Sequence, residues 1–492
     1  MAARRLELVA ALSILLALHG CGGDSPSTSP QGAVESVTVT PAVDSIAARA
    51  QVTLSAAAVD VSGAPVSGTM TWTSSDSLVA TVSGAGVVTA ISAGRATITA
   101  SQGGKSGNAT LTVLPGTLSI KGVWAQFERL GGQGGFWNGE LLKQWDSVDA
   151  TAGVKVSDAV AQQMDVMRGI GINAISFQIV GTDSTSTGSS TPPACYIPPL
   201  GGARWPQPTA LELTNLVKFF DLAQQKGIRI LLELSHTHFE ESPPDHATTW
   251  LTALINDVKA HPALELITFM GDVHVNNFGT PSCGLPAEPA LWLGPSSTVY
   301  QHLKFEMSLA RSLGVDPRKI SAEAIVGDYA TMANAASGLP QHAYNPIQTL
   351  KQLFDDQSWP AAQRTYALSF YERRKCEPSS APPGCVDVPA AQWADSTMRF
   401  VSNTIGAASG SRAIAIEFGT YQDSASTPPA TVSTLTTVMR RYGMDGGAYW
   451  IWVNTDNTYE ASLPFADAVL RRGATIQFNA VKDSLQAAYV RP

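Results

Sequence analysis

Charge is scarce in this 492-residue sequence, in which Asp, Glu, Lys and Arg make up 15% of the residues. The formal net charge is -8, and no run of Lys and Arg is longer than three residues. Proteins that bind nucleic acids need a basic surface for the phosphates, so we exclude nucleic acid as a partner. Long hydrophobic runs are also lacking beyond the N-terminal segment, so the sequence offers no mature membrane-spanning helix.

Cysteine is scarce as well, with five in the chain. None lies in a CxxC motif or in a Cys/His pair at ligand spacing, which argues against a zinc site. Apart from Cys21, the cysteines are an even number that fits two disulfides in an exported protein, with three possible connectivities. Cys376 and Cys385 bracket a Pro-rich loop, CEPSSAPPGC, so we expect them to pair locally and to leave Cys195 with Cys283.

The N-terminal segment predicts export. Two arginines precede an apolar run from Leu8 to Leu18, which is too short for a mature membrane helix. The sequence LHGC that follows resembles the lipobox of a lipoprotein signal peptide, which implies cleavage and lipidation at Cys21. Residues 1–21 are then a signal peptide, and the mature protein is anchored by lipid at the outer membrane or cell surface. The alternative is an ordinary cleaved secretion signal.

Two segments follow the signal peptide. Residues 22–34, GGDSPSTSPQGAV, are a Gly/Ser/Pro tether. Residues 35–114 consist of short alternating runs rich in Val and Thr, such as QVTLSAAAVD and NATLTVLP, which predict an antiparallel β-sandwich. The stretch WTSSDSLVATVSGAGVVTAISAGRATITA resembles the bacterial Ig-like domain, group 2. The resemblance implies a spacer or adhesion module, with Trp72 in its core.

Strand-like and helical runs alternate from residue 118 to residue 492. Eight strand-like runs, from LSIKGVWAQF to GAYWIWVN, are separated by amphipathic helices such as VSDAVAQQMDVMRGIG, for which Ser157 is the expected N-cap. Eight such units in about 370 residues predict a (β/α)8 TIM barrel. The whole chain is therefore expected to be multidomain, with an all-β Ig-like sandwich followed by an α/β barrel.

Polar and aromatic residues end most of the predicted barrel strands. The C-terminal ends of barrel strands surround the active site, so we expect these residues to meet at one mouth. Carboxyl groups there can protonate a glycosidic oxygen and attack the anomeric carbon, and a tryptophan can stack on a sugar. The candidates are Glu233, His236, His238, Asp272, His274, Asn276, Glu323, Tyr371, Glu417, Trp450 and Trp452.

The strand order and the strand-end residues of 118–492 resemble the retaining glycoside hydrolases of clan A, family 5 among them. The sequence EFG beginning at Glu417 matches the context of the strand-seven nucleophile. The resemblance implies that Trp452, or as second choice Trp450, floors the sugar subsite next to the scissile bond. The residues that would hold substrate or nucleophile are His236, His238, His274, Asn276, Glu323 and Tyr371.

The fourth strand departs from the pattern of the clan. The clan has Asn-Glu there, with the Glu as general acid/base, whereas this chain has Gly271-Asp272. An Asp is shorter by one methylene group, about 1.5 Å, and catalysis tolerates little misplacement. We expect Asp272 to serve as acid/base on a shifted backbone. The alternatives are that Glu323 or Glu233 has taken the role, or that the site binds without hydrolysis.

The sequence thus predicts an exported glycoside hydrolase that cleaves a poly- or oligosaccharide with retention of configuration. Glu417 is the expected nucleophile and Asp272 the acid/base, and neither a cofactor nor a metal is expected. A surface glycan-binding lipoprotein with a degenerate site is the alternative from another class. The HxH pattern of His236 and His238, near Asp272, keeps a metal-dependent barrel hydrolase as a third possibility.

Overall fold

The structure is a computed structural model. It describes residues 32–125, 127–128, 135–136, 138–148, 153–180, 208–235, 245–269, 295, 298–326, 346–372, 389–407, 409–420, 428–450, 452, 470–471, 477–478 and 480–490. The positions outside these ranges include every cysteine and Asp272, His236, His238, His274 and Asn276. Across the described ranges, no helix has both the length and the apolar character needed to span a bilayer.

Residues 32–114 form a small β-sandwich. Its strands are β1 (Ser36–Thr40), β2 (Val43–Ala47), β3 (Gln51–Thr53), β4 (Ser55–Val59), β5 (Thr71–Ser74), β6 (Ala80–Val82), β7 (Val87–Ala90), β8 (Gly94–Gln102) and β9 (Lys105–Leu114). One sheet has the order β2-β9-β8-β5 and another the order β3-β7-β6, while β1 pairs with β4. The predicted sandwich is confirmed, but it is not wholly antiparallel, because β2 pairs with β9 in the parallel direction.

Alternation along these strands produces the core of the sandwich. In β9, Ala109, Leu111 and Val113 are buried, while Thr110 between them is exposed. The ring of Trp72 packs against this core. The Val/Thr alternation in the sequence therefore reflects one buried and one solvated face of each sheet.

A closed barrel of parallel strands follows the sandwich. The remaining described strands are β10 (Ile120–Trp124), β11 (Phe127–Glu128), β12 (Gly135–Phe136), β13 (Ala174–Val180), β14 (Arg229–Ser235), β15 (Leu264–Phe269), β16 (Ile320–Val326), β17 (Thr365–Glu372), β18 (Arg412–Thr420), β19 (Gly446–Tyr449), β20 (Leu470–Arg471) and β21 (Gln477–Phe478). The barrel has the order β10-β13-β14-β15-β16-β17-β18-β19, with β19 pairing back onto β10. This closure confirms the predicted eight-stranded barrel.

Helices pack around the outside of the barrel. The described helices are α1 (Asn138–Gln144), α2 (Val156–Gly169), α3 (Ala210–Gln225), α4 (Asp245–Val258), α5 (Thr298–Ser312), α6 (Pro346–Asp356), α7 (Ala390–Ile405), α8 (Pro428–Arg441) and α9 (Ala480–Val490). Their apolar faces follow helical spacing: on α7, Ala394, Met398, Val401 and Ile405 are buried.

The start of α2 differs from the prediction. The helix begins at Val156, so Ser157 lies inside it, and the N-cap is Lys155, which makes no side-chain capping bond. The backbone N–H groups of Val156 and Ser157 donate instead to the carbonyls of Ser147 and Trp145, at 2.9 and 3.1 Å. These tertiary bonds satisfy the free amides that a capping side chain normally satisfies.

The barrel interior contains two layers. The apolar layer comprises Ile120, Ala174, Leu231, Leu266, Ala367, Ile414, Ile416 and Ala448. A second layer lies two residues further along the chain from members of the apolar layer, and therefore on the same inward face. It comprises Ser176, Glu233, Thr268, Ser369 and Trp450. The apolar layer thus closes the N-terminal half, and a polar layer lies above it towards the mouth.

Paired charges close the N-terminal end of the barrel. Glu265 is an extra residue where the pairing of β14 and β15 shifts register. Its carboxylate lies 2.6 Å from Arg412 Nη2 and 3.1 Å from Arg229 Nη1. Arg412 also approaches Asp445, with Nε 3.5 Å from Oδ1.

The Ig-like domain contacts this same end of the barrel. The guanidinium of Arg49 donates to the carbonyls of Ser411 and Ala407, at 2.5 and 3.3 Å. The backbone N–H of Ala93 donates to Arg441 O at 2.8 Å, and that of Gly116 donates to Arg440 O at 2.7 Å. The domain and the segment that follows it therefore contact the loop before β18 and the C-terminal end of α8.

Candidate active site

Glu417 lies at a β-bulge in β18. On the side of β17, the register shifts by one residue between Ala415 and Glu417, so that Ile416 is skipped in the pairing. The register against β19 shifts over the same stretch, between Ala415 and Phe418. Because both neighbours show the shift, the additional residue belongs to β18 itself.

The bulge sets the direction of the Glu417 side chain. Without an inserted residue, Glu417 would share the outward face of Ala415, because side chains alternate along a strand. The insertion changes the phase: Ile416 joins the inner apolar layer, whereas Phe418 packs in the outer core. Glu417 comes level with Ser369, which belongs to the polar layer, and is only 4% exposed. The bulge therefore turns a carboxylate inward within a buried strand that continues to Thr420.

Glu323 lies on the other side of Ser369. The hydroxyl of Ser369 donates to Oε1 of Glu323, and Ser369 is the register partner of Glu417 on the neighbouring strand. Glu323 is half-buried, whereas Ser369 is buried. One serine thus separates carboxylates carried by β16 and β18.

A third carboxylate, that of Glu233, is fully buried in the polar layer. Its Oε1 accepts a hydrogen bond from the Ser176 hydroxyl, and its Oε2 accepts one from Trp124 Nε1 at 3.4 Å. Thr268 is paired with Glu233 on the adjacent strand, and its buried hydroxyl has no hydrogen-bond partner among the described residues.

Trp124 at the end of β10 and Trp450 just after β19 pack against each other, and we call this pair the tryptophan wall. The ring centroids of Trp124 and Trp450 are 4.5 Å apart, with the planes inclined by 40°. Trp124 is buried and Trp450 is partly exposed. The backbone N–H of Trp450 donates to Phe418 O at 2.8 Å, which fixes Trp450 next to the residue that follows Glu417.

Trp452 lies elsewhere. It has 0% exposure and belongs to the outer core, where its Nε1 donates to Gln163 Oε1 of α2 at 3.2 Å. Strand β19 ends at Tyr449, so alternation no longer decides which way residue 452 points. This placement does not support Trp452 as the floor of a subsite, and it leaves Trp450 as the tryptophan at the mouth.

The structure describes the other predicted residues only in part. Tyr371 lies on β17, paired with Gly419 of β18. His236 and His238 follow the end of β14 in the sequence, and Asp272, His274 and Asn276 follow the end of β15; all five are outside the described residues. Within the part of the chain that is described, no group of three His, Cys, Asp or Glu side chains is placed to hold a metal.

The link between Glu233 and Trp124 is not visible in the sequence. Both lie on the inward face, which the i, i+2 spacing from Leu231 and Gly122 could have indicated. Their mutual hydrogen bond spans β13, however, and nothing in a linear sequence reveals such a contact.

Comparison with known proteins supports part of this description. Residues 33–113 match the family model of the bacterial Ig-like domain (group 2), which confirms the resemblance of that domain. A search of the curated proteins finds no match to the chain.

Several solved structures resemble the chain weakly. An endo-β-1,4-glucanase from Xanthomonas axonopodis pv. citri is 11% identical, with a TM-score of 0.40 over 67% of this chain and 90% of its own. An exo-β-1,4-mannosidase from Opitutaceae bacterium strain TAV5 is 12% identical, with a TM-score of 0.44 over 77% of this chain and 59% of its own. An endoglucanase from Pseudomonas stutzeri is 13% identical, with a TM-score of 0.41 over 67% and 85%. These likenesses are too weak to decide fold or activity, and the barrel rests on its own strand pairing.

Proposed function

We propose that the protein is an exported glycoside hydrolase that cleaves a poly- or oligosaccharide by a retaining mechanism with two carboxyl groups. The observation that carries the proposal is the bulge of β18, which turns Glu417 inward, while the backbone of the partly exposed Trp450 is bonded to the next residue, Phe418. An inserted residue that turns a carboxylate towards this end of a barrel is better explained by a catalytic role than by packing.

Each carboxyl group has a distinct role in this mechanism. Glu417 attacks the anomeric carbon and forms a glycosyl-enzyme intermediate, while the leaving oxygen takes a proton from Asp272. Asp272 then removes a proton from water, which releases the sugar with its original configuration. The proposal for Asp272 rests on its position after β15 in the sequence.

Substrate binding falls to the aromatic and polar residues at the mouth. Trp450 offers its partly exposed ring to the apolar face of a sugar. No cofactor takes part. The residues proposed to hold substrate or nucleophile are His236, His238, His274, Asn276, Glu323 and Tyr371.

The departure at Asp272 favours one other function. A shorter acid at this position fits a surface protein that binds glycans without cleaving them. Both functions place the protein outside the cell, where Cys21 would carry the lipid anchor.

Hydrolysis can be tested with a soluble fragment, residues 22–492, which lacks the signal peptide and the lipidation site Cys21. Reducing-sugar release is measured over a broad panel of glycans for wild type and for Glu417→Gln, with and without EDTA. Glu265→Gln is the matched control, because it removes a carboxylate from the opposite end of the same barrel. Activity that survives EDTA and Glu265→Gln but not Glu417→Gln supports the proposal. Glycan retention without release favours the binding protein, and activity abolished by EDTA favours a metal enzyme.

A further inference from the structure

Glu233 is costly to bury. It is fully enclosed on β14, and an ionised carboxylate loses several kcal/mol of hydration unless hydrogen bonds and charges replace it. The preceding inward residue of the same strand is Leu231, in the apolar layer. A leucine at position 233 would likewise fill the interior, so packing alone does not require a carboxylate.

The hydrogen bonds of Glu233 lead to the tryptophan wall. Its Oε1 accepts from Ser176 of β13, and its Oε2 accepts from the indole N–H of Trp124 on β10. The carboxylate therefore reaches across β13 to a ring two strands away. Trp124 in turn lies 4.5 Å from the ring of Trp450, and these two tryptophans form a cluster of their own.

The orientation of Trp124 depends on this acceptor. An indole N–H buried without a partner costs about 1 to 3 kcal/mol, so the ring is held where Oε2 can accept its hydrogen. The backbone carbonyl of Trp124 also accepts from Trp452 N at 2.9 Å, which fixes the main chain beneath the ring. The ring of Trp450 therefore packs against an indole whose orientation is fixed.

We propose that Glu233 is a positioning residue, which holds the indole of Trp124 and thereby sets the tilt of Trp450 at the barrel mouth. The structural part of the proposal stands by itself. Its consequence for sugar affinity rests on the proposed function, in which Trp450 contacts the substrate.

Substitutions at Glu233 separate positioning from catalytic charge. In Glu233→Gln, the amide oxygen can accept from Trp124 while the amide N–H donates to the Ser176 oxygen, so the network survives without charge. In Glu233→Leu, the indole N–H loses its acceptor. Trp124→Phe tests the same link from the other side, since it keeps an aromatic ring and removes the N–H.

The first readout is independent of any substrate. Two indoles at this separation couple and give an exciton couplet in the far-ultraviolet circular dichroism, which the difference between wild type and Trp450→Phe isolates. We expect Glu233→Leu to diminish the couplet by more than half and Glu233→Gln to retain it. An unchanged couplet in folded Glu233→Leu would overturn the proposal.

The second readout is the split between KM and kcat on the 4-nitrophenyl β-glycoside that wild type hydrolyses fastest. We expect KM to rise about tenfold in Glu233→Leu and in Trp124→Phe, the equivalent of 1.4 kcal/mol, with kcat changed far less. Glu233→Gln should rescue most of this loss. A collapse of kcat in Glu233→Gln would show instead that the charge takes part in the chemistry.

The two readouts distinguish a failure of the positioning role from a failure of the proposed function. If wild type hydrolyses no glycoside, the proposed function fails and the couplet still decides the positioning role. If Glu233→Leu does not fold, the comparison of Trp124→Phe with Glu233→Gln still separates loss of the hydrogen bond from loss of the charge. Equal KM values for these two variants would contradict the proposal.

Discussion

At the N-terminal end of the barrel, the carboxylate of Glu265 lies between two arginines, Arg229 and Arg412. At the C-terminal end, Glu233 and Glu323 accept hydrogen bonds from serine hydroxyls and from an indole. The Ig-like domain contacts the first end, whereas the second carries a partly exposed tryptophan. Buried and half-buried glutamates of one barrel therefore lie in two environments, one with arginine partners and one with hydroxyl and indole donors.

The largest expected effect lies at the mouth. Glu417→Gln removes the proposed nucleophile while preserving side-chain size, so we expect kcat to fall at least about a thousandfold. The melting temperature should stay close to that of wild type, because the substitution leaves the ion pairs at the N-terminal end of the barrel intact. Initial rates and thermal unfolding of the same preparation check both parts. A variant that loses stability and activity together would place Glu417 with the structural carboxylates.

At the N-terminal end of the barrel we expect the opposite pattern, a loss of stability without a loss of activity. Glu265→Gln breaks the pairs with Arg412 and Arg229, and we expect the free energy of unfolding to fall by about 2 to 3 kcal/mol with little change in kcat. Denaturant unfolding measures the loss. Glu35→Gln is the control, because Glu35 forms an exposed pair with Lys105 and such pairs contribute little.

The loss in Glu265→Gln should also depend on pH. Burial by itself would raise the pKa of Glu265, but the hydrogen bonds and charges of Arg412 and Arg229 outweigh it and lower that pKa below its usual value. A lowered pKa stabilises the fold above the unfolded pKa, and this contribution disappears as the pH falls through the folded pKa. We expect the difference between wild type and variant to be full at neutral pH and to shrink below about pH 4.5. A constant difference down to acid pH would contradict the ion-pair explanation.

A smaller effect is expected where the Ig-like domain meets the barrel. Arg49→Met keeps the apolar stem and removes the bonds to Ser411 and Ala407, so unfolding should become easier by about 1 to 2 kcal/mol. Calorimetry provides the measurement, and Arg95→Met, at an exposed position of the same domain, is the control. Equal stabilities of these two variants would mean that the domain rests on the barrel without supporting it.

The smallest expected effect is a change in glycan affinity, which should distinguish the two tryptophans that follow β19. Trp450→Phe should weaken glycan affinity by about threefold to tenfold, because a smaller ring covers less of a sugar face. Trp452→Phe should act on stability instead, because it removes the bond to Gln163 in the outer core. Affinity measurements and melting curves of both variants give the comparison. A greater loss of affinity in Trp452→Phe would restore the assignment that the family resemblance implies.

The fold could be predicted from the sequence because its signal is repeated. Alternation of Val and Thr occurs strand after strand in the sandwich, and each barrel strand is followed by an amphipathic helix with a regular apolar spacing. Errors at one boundary, such as Ser157 and the start of α2, did not change the architecture. Local tertiary bonds decide such boundaries, and a sequence does not display them.

The candidate site could be predicted less completely, since it depends on single departures from regularity. Glu417 was expected to end its strand, whereas β18 continues to Thr420, and the inward direction of its side chain depends on the bulge at Ile416. Trp450 and Trp452 have the same spacing parity, yet Trp450, directly after β19, packs against Trp124, whereas Trp452 lies in the outer core. The contact of the Ig-like domain with the barrel involves Arg49, whose carbonyl partners lie more than 350 residues away in the chain.

The most direct test of the central claim is to trap the glycosyl-enzyme intermediate. The mature protein is incubated with a panel of activated 2-deoxy-2-fluoro glycosides, whose intermediates hydrolyse slowly, and the labelled peptide is identified by mass spectrometry. We predict one sugar per chain, bound through an ester at Glu417, and no label in Glu417→Gln. A label on another carboxylate, or glycan hydrolysis that proceeds with inversion and without any label, would contradict the account.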